Sequence, residues 1–154
     1  FVDKSKLDSI KKINDLIYNL NNLKKILQDS DVTICLETDL TYNQNKKLIK
    51  KIGIENIRLN YDTGNSASLG FNNTIELKKN SHIISSYHIK DRKYKQGSII
   101  LGEGDYNFNI FFKLIKEKII TPKYLIMQAY RDEGGIDIFK KQFDWLKKKI
   151  KDLD

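Results

Sequence analysis

Four times along this chain a short run of apolar and β-branched residues gives way to a stretch with helical spacing, and each run reaches a polar side chain. VTICLE ends on Glu37, IRLNYD on Asp62, HIISSYHI reaches His88 and KYLIMQAY reaches Gln128. Strands that alternate with helices imply parallel strands joined by right-handed crossovers. Two architectures satisfy that order, an open doubly wound sheet or part of a (β/α)-barrel. The chain has neither the glycine fingerprint of a dinucleotide fold nor a P-loop lysine motif, which weakens the nucleotide-binding form of the open sheet. In a barrel the four polar ends would converge on one face, where barrel enzymes keep their chemistry. The expected fold is therefore α/β, four parallel βα units preceded by a helix. That is half of a (β/α)8 barrel, whose usual length is about 250 residues, against 154 here.

The helices are read from their apolar spacing. Residues 5 to 28 place Leu7, Ile10, Ile13, Leu16, Ile17, Leu20, Leu23, Ile26 and Leu27 at three-and-four intervals, predicting one amphipathic helix. Leu48, Ile49 and Ile52 mark the next, ended by Gly53. NNTIELKKN is a short helix entered through Asn72 or Asn73. Asn107 is a suitable N-cap for NFNIFFKLIKEK. After the Thr121-Pro122 breaker and the last strand, IDIFKKQFDWLKKKI predicts a closing helix with Ile136, Phe139, Phe143, Leu146 and Ile150 on one side. For Asp62 in YDTGN, starting a turn before Gly64 is the plain alternative to a functional role.

Bulk properties narrow the class. The charge of +8 comes mostly from lysines on helix-like segments, with Arg58, Arg92 and Arg131 as the only arginines. So few bidentate base readers argue for solvated helix faces over a nucleic-acid surface. The apolar runs are too short to span a bilayer, so no membrane partner is expected. A single cysteine, Cys35, excludes an intramolecular disulfide and fits a reducing compartment, with the cytoplasm as the default location. On its strand Cys35 faces the same side as Glu37 but deeper, a packing position. The first residue is Phe, so the start of the natural protein is expected to lie upstream.

Each strand-end residue has a plain alternative: a capping carboxylate at Glu37, a turn at Asp62, a packed imidazole at His88, a surface amide at Gln128. Together, two carboxylates, one imidazole and one amide oxygen suit a divalent ion that prefers oxygen ligands, Mn²⁺ or Mg²⁺, with Zn²⁺ or Co²⁺ as alternatives. Lys90, Arg92 and Arg131 are candidates for gripping a phosphate or substrate hydroxyls. Their alternative is pairing with Asp91, Asp132 or Glu133. The glycines of LGEGD would let a loop fold tightly over the site.

ICLETD, NYDTGNSASLG, YHIKDR, LGEGDYNFNIFFKLI and YLIMQAYR resemble the second half of the xylose-isomerase-like TIM-barrel superfamily, nearest its hexulose-6-phosphate isomerase and L-ribulose-5-phosphate 3-epimerase branch. FVDKSKL resembles the loop after the fourth barrel strand. Residues 1–154 would thus form the C-terminal half of one barrel domain. The resemblance implies metal ligation by Glu37, Asp62 and His88, with Gln128 where a second Glu is expected. It also implies proton transfer next to a carbonyl through an enediolate, with Glu37 as general base. An amide at 128 cannot act as a second base, so an aldose–ketose shift is easier to support than a two-base epimerisation. Asn65 stands where epimerases place a histidine shortly after the metal-binding Asp, as in the DTGN branch of the family, and is counted as a substrate-binding candidate.

The resulting expectation is a sugar or sugar-phosphate isomerase or epimerase. Two other readings compete. One is a non-catalytic barrel descendant that binds a sugar or a protein partner, favoured by Gln128. The other is an endonuclease-IV-like nuclease, disfavoured because the chain has only His82 and His88 and His82 opens its strand at the wrong end. An open half-barrel would also leave apolar inner strand faces and two sheet edges uncovered, predicting self-association or a missing N-terminal half.

Overall fold

The computed structural model describes residues 5–153. Its centre is a parallel four-stranded sheet in which β1 (Ile34–Leu36), β2 (Ile57–Asp62), β3 (Ile84–Ile89) and β6 (Tyr124–Met127) lie side by side in chain order. A two-residue antiparallel hairpin, β4 (Asp91–Arg92) with β5 (Ser98–Ile99), rises from the loop after β3.

Seven helices occur among the described residues: α1 (Ile10–Asn22), α2 (Lys24–Gln28), α3 (Tyr42–Ile52), α4 (Thr63–Leu69), α5 (Asn73–Asn80), α6 (Phe108–Lys116) and α7 (Gly135–Lys151). Their ends follow local chemistry. Thr41 and Gln44 close a capping box on α3, and Gly53 ends that helix at φ 62°, where a side chain would be strained. Asn72 caps α5 and Asn107 caps α6, each through its side-chain oxygen.

The core lies on the helix side of the sheet. Ile57, Leu59, Tyr87 and Ile89 from the strands pack with Leu77, Phe111, Leu114 and Ile120. Tyr61, Tyr87, Tyr106, Phe108, Phe111, Phe112 and Trp145 form a chain of mostly edge-on aromatic contacts with ring centroids 4.8–6.4 Å apart.

Several expectations need correction. The first helix is two helices broken at Leu23, and it starts at Ile10 behind a Ser9 cap; Leu7 is buried but lies ahead of it. The segment FVDKSKL, expected to be the loop after the fourth barrel strand, lies partly outside the described residues. On α7 only Leu146 of the expected stripe is buried, while Phe139 and Phe143 are 42% and 47% exposed and stack on each other. The helix is instead anchored by buried Gln142, which accepts from Leu101 N and Tyr130 N and donates to Tyr130 O.

The inner face of the sheet is also not apolar. Thr33, Cys35, Glu37, Asn60, Ser85, Ser86 and His88, with Lys123, Tyr124 and Ile126, line a trough of about 510 Å³. The apolar members of β2 and β3 point outward to the helices, whereas Tyr124 and Ile126 of β6, both exposed, face the trough; further exposed apolar side chains sit on α1 and α7. Cys35 does share its face with Glu37.

Candidate metal centre

Sheet register brings the strand-end residues together. Asp62 and His88 are register partners across β2 and β3, and Glu37 directly follows β1. Glu37, Asp62 and His88 each offer a ligand atom, and these atoms all lie within 4.8 Å of one another. His88 Nδ1 is 2.8 Å from Glu37 Oε2 and 3.8 Å from Asp62 Oδ2. Gln128, just past β6, places its amide 2.9 Å from the same ring nitrogen.

The donor set fits a divalent cation. Asp62 Oδ2 is buried without a hydrogen-bond partner, an arrangement that costs free energy unless something electropositive meets it. Two carboxylate oxygens and an amide crowd one imidazole nitrogen, and Nδ1 cannot donate to Glu37 while accepting from the Gln128 N–H. A cation resolves the conflict, since every group could turn a lone pair towards it, Gln128 by rotating its amide. Burial pushes the Asp62 carboxyl above its usual range and the Glu37 charge adds to this; the Asn65 N–H, Lys90 and His88 oppose it.

Why Asp62 is so placed follows from the local sequence. YDTGN does not make a simple turn: Asp62 ends β2 and caps α4, its Oδ1 accepting from Asn65 N at 2.7 Å. The cap therefore turns Oδ2, the other carboxylate oxygen, towards His88. Thr63 fastens α4 to the end of β3 by accepting from Lys90 N and donating its one hydroxyl proton between the Lys90 carbonyl and the His88 carbonyl. Gly64 permits this approach, because a Cβ there would lie 3.0 Å from Lys90 Cγ and 3.1 Å from Arg92 Cγ.

Residues outside the expected set complete the site. Asn60, two positions before Asp62 and hence on the same face, donates to Glu37 Oε2 at 3.1 Å and accepts from Ser86 Oγ. Period-two alternation could have found it. Asp91, offered above only as a possible ion-pair partner, is 1% exposed and accepts four backbone N–H bonds, from Arg92, Gly102, Gly104 and Tyr106. It pins the LGEGD loop to the end of β3. Gly104 is needed there because a Cβ would overlap the Asp91 carboxylate.

The other expected residues divide. Lys90 and Arg131, with Ser98, Gln128, Ala129 and Tyr130, line a cleft of about 460 Å³ beside the strand ends. The pairing offered as their alternative is not formed: among the described residues no ion pair joins Lys90, Arg92 or Arg131 to Asp91, Asp132 or Glu133. Asn65 is buried, and its side chain is engaged with Glu37 on one side and Arg92 on the other. His82 lies in a 3₁₀ turn ahead of β3, away from the cluster.

Residues 3–149 match the xylose isomerase-like TIM-barrel family. An uncharacterized protein of Methanocaldococcus jannaschii is 32% identical over 131 residues, covering 80% of this chain and 50% of that protein. The structure of 3-keto-D-glucoside 4-epimerase from E. coli superposes with TM-score 0.75 at 15% identity, over 93% of this chain and 56% of that one. The IOLI protein, solved with a bound zinc atom, gives TM-score 0.72 at 18% identity, over 96% and 59%. At such identities the likeness establishes the fold, and the chain spans about half the length of the proteins it matches.

Proposed function

The chain belongs to the xylose isomerase-like TIM-barrel family, and we propose that it carries the metal centre and the base of an enzyme that isomerises or epimerises a sugar or sugar phosphate. The observation that carries this reading is the convergence of Glu37, Asp62 and His88 donor atoms within 4.8 Å at the C-terminal ends of three successive parallel strands.

Glu37, Asp62 and His88 would hold the cation, with the Gln128 amide as a fourth, neutral ligand. A bound Mn²⁺ or Mg²⁺, or alternatively Zn²⁺ or Co²⁺, would polarise a substrate carbonyl and its neighbouring hydroxyl. Glu37 would take the proton from the hydroxyl-bearing carbon beside that carbonyl and return it to the former carbonyl carbon on the same face, while the hydroxyl proton passes to the former carbonyl oxygen. Gln128 holds no exchangeable base, so one carboxylate must do both, which favours an aldose–ketose shift over epimerisation. Lys90 and Arg131, which form no close ion pair among the described residues and line the adjoining cleft, would bind the substrate's polar end. The IOLI protein's zinc and the epimerase of like fold support a metal-dependent sugar enzyme.

A second reading keeps the metal and loses the turnover, and Gln128 is the residue that favours it. Solvent-deuterium exchange into a panel of pentoses, hexoses and their phosphates, followed by NMR with Mn²⁺ present, separates the two. The enzyme reading predicts incorporation that disappears in Glu37→Gln. Exchange that persists in Glu37→Gln overturns the assignment of the base, and no exchange with any member of the panel favours the binding descendant.

A further inference from the structure

We propose that Arg92 and Asn65 form a relay that fixes the orientation of Glu37, making both positioning residues rather than substrate contacts. The catalytic part of this rests on Glu37 being the base. The relay itself rests on hydrogen-bond geometry.

Asn65 Nδ2 donates to Glu37 Oε1 at 2.9 Å, and Asn65 Oδ1 accepts from Arg92 Nη1 at 3.1 Å. A guanidinium can only donate, so the Asn65 oxygen must face Arg92 and its NH₂ group must face Glu37. Both partners agree on one amide orientation. The cation polarises the amide carbonyl and thereby strengthens its N–H as a donor to the carboxylate. A guanidinium set directly on Glu37 would engage both carboxylate oxygens in a bidentate grip. The interposed amide engages Oε1, while Asn60 Nδ2 donates to Oε2 at 3.1 Å.

Both members of the relay are themselves held. Asn65 sits in the first turn of α4, its backbone N–H on Asp62 Oδ1. Arg92 donates through Nε to Gln96 O at 2.9 Å and accepts from Asp105 N through its carbonyl. It lies in β4, paired with Ser98, directly after the Asp91 clamp. Lys95 N on Ser68 O joins the same excursion to α4. The order of residues 92–105 is therefore transmitted through one guanidinium and one amide to the carboxylate at the end of β1.

The test uses Asn65→Ala, Arg92→Met, the double variant and the conservative Arg92→Lys. Exchange kinetics are read as kcat and KM separately, and the Asn65 side-chain amide is followed by ¹⁵N–¹H NMR, its signals assigned by their loss in Asn65→Ala. A misaimed base loses on the order of 10- to 100-fold in rate. The relay predicts that loss in kcat for either single variant with KM nearly unchanged, no further loss in the double variant, and recovery in Arg92→Lys. It also predicts that Arg92→Met and Glu37→Gln each shift the Asn65 amide signals. Multiplying losses in the double variant, or a rise in KM alone on removing Arg92, would overturn the relay in favour of a substrate contact. The amide signals need neither metal nor turnover. If the native protein exchanges no deuterium, the proposed activity fails while the relay is still decided: signals unmoved in Arg92→Met and Glu37→Gln overturn it, and shifted signals support it.

Discussion

Asp62 and His88 stand opposite each other as the register pair that closes the β2–β3 ladder, with Asp62 Oδ2 and His88 Nδ1 3.8 Å apart. Because both strands are parallel, residues at matched register leave the sheet on the same face and at the same height. A register shift between Leu59 and Asn60, at which Ser85 of β3 is passed over, sets this pairing. Without that shift, Asp62 would sit opposite a different residue and the cluster would not close.

Gln128→Glu should tighten divalent metal binding. It replaces a neutral amide beside two carboxylates and an imidazole with a charged oxygen donor. Roughly tenfold, about 1.4 kcal/mol, is the expected scale. Calorimetric titration with Mn²⁺ measures it. Unchanged or weaker affinity would show that residue 128 does not face the ion.

Gly104→Ala should loosen the loop held by Asp91. The new methyl would meet the Asp91 carboxylate and the Arg92 carbonyl, 2.8 Å away, and backbone cannot yield as a flexible side chain does. Overpacking of this kind costs about 1–3 kcal/mol. Urea denaturation should show that loss, and amide hydrogen exchange at Gly102, Gly104 and Tyr106 should accelerate first. Wild-type stability and exchange would contradict the clamp.

Glu76 predicts a pH dependence of stability. Its carboxyl lies buried between α4 and the sheet, accepting from Ser66 Oγ and Tyr61 OH, and burial raises its pKa against the lowering effect of those two bonds. Between its unfolded value and its raised folded value the native state holds more protons than the unfolded state, so stability falls as pH rises through that window. Glu76→Gln keeps an acceptor for both hydroxyls and removes this penalty. The variant should match wild type at acidic pH, below the unfolded value, and exceed it near neutrality, read as Tm against pH. Asp62 and Asp91, also raised by burial, remain in both proteins and cancel. Parallel curves would contradict the assignment.

The strand ends were legible because parallel βα units repeat and each strand run reaches a polar residue. Leu48, Ile52 and Gly53 show the same clarity for α3. What stayed hidden depended on three-dimensional neighbours. YDTGN looks like a turn because Asp, Thr, Gly and Asn favour turns, yet Asp62 uses the same chemistry to cap a buried seven-residue helix. Period-two alternation marks the face that each strand residue occupies but does not say that the barrel-side face is the polar one. On α7 the exposed Phe139 and Phe143 follow the helical period as well as Leu146 does; only packing against Leu101 and Tyr130 selects Gln142 as the buried anchor. Asn65 was readable as a polar residue near the site, but its role waited on seeing Glu37 and Arg92 to either side.

The most direct test of the metal centre is diffraction from crystals grown with Mn²⁺, recorded at the manganese absorption edge. A single anomalous peak is expected among Glu37, Asp62 and His88, within coordination distance of an oxygen of each carboxylate and of His88 Nδ1, and absent from Asp62→Ala crystals grown alike. A peak elsewhere, or none at this cluster with the ion in excess, would contradict the account.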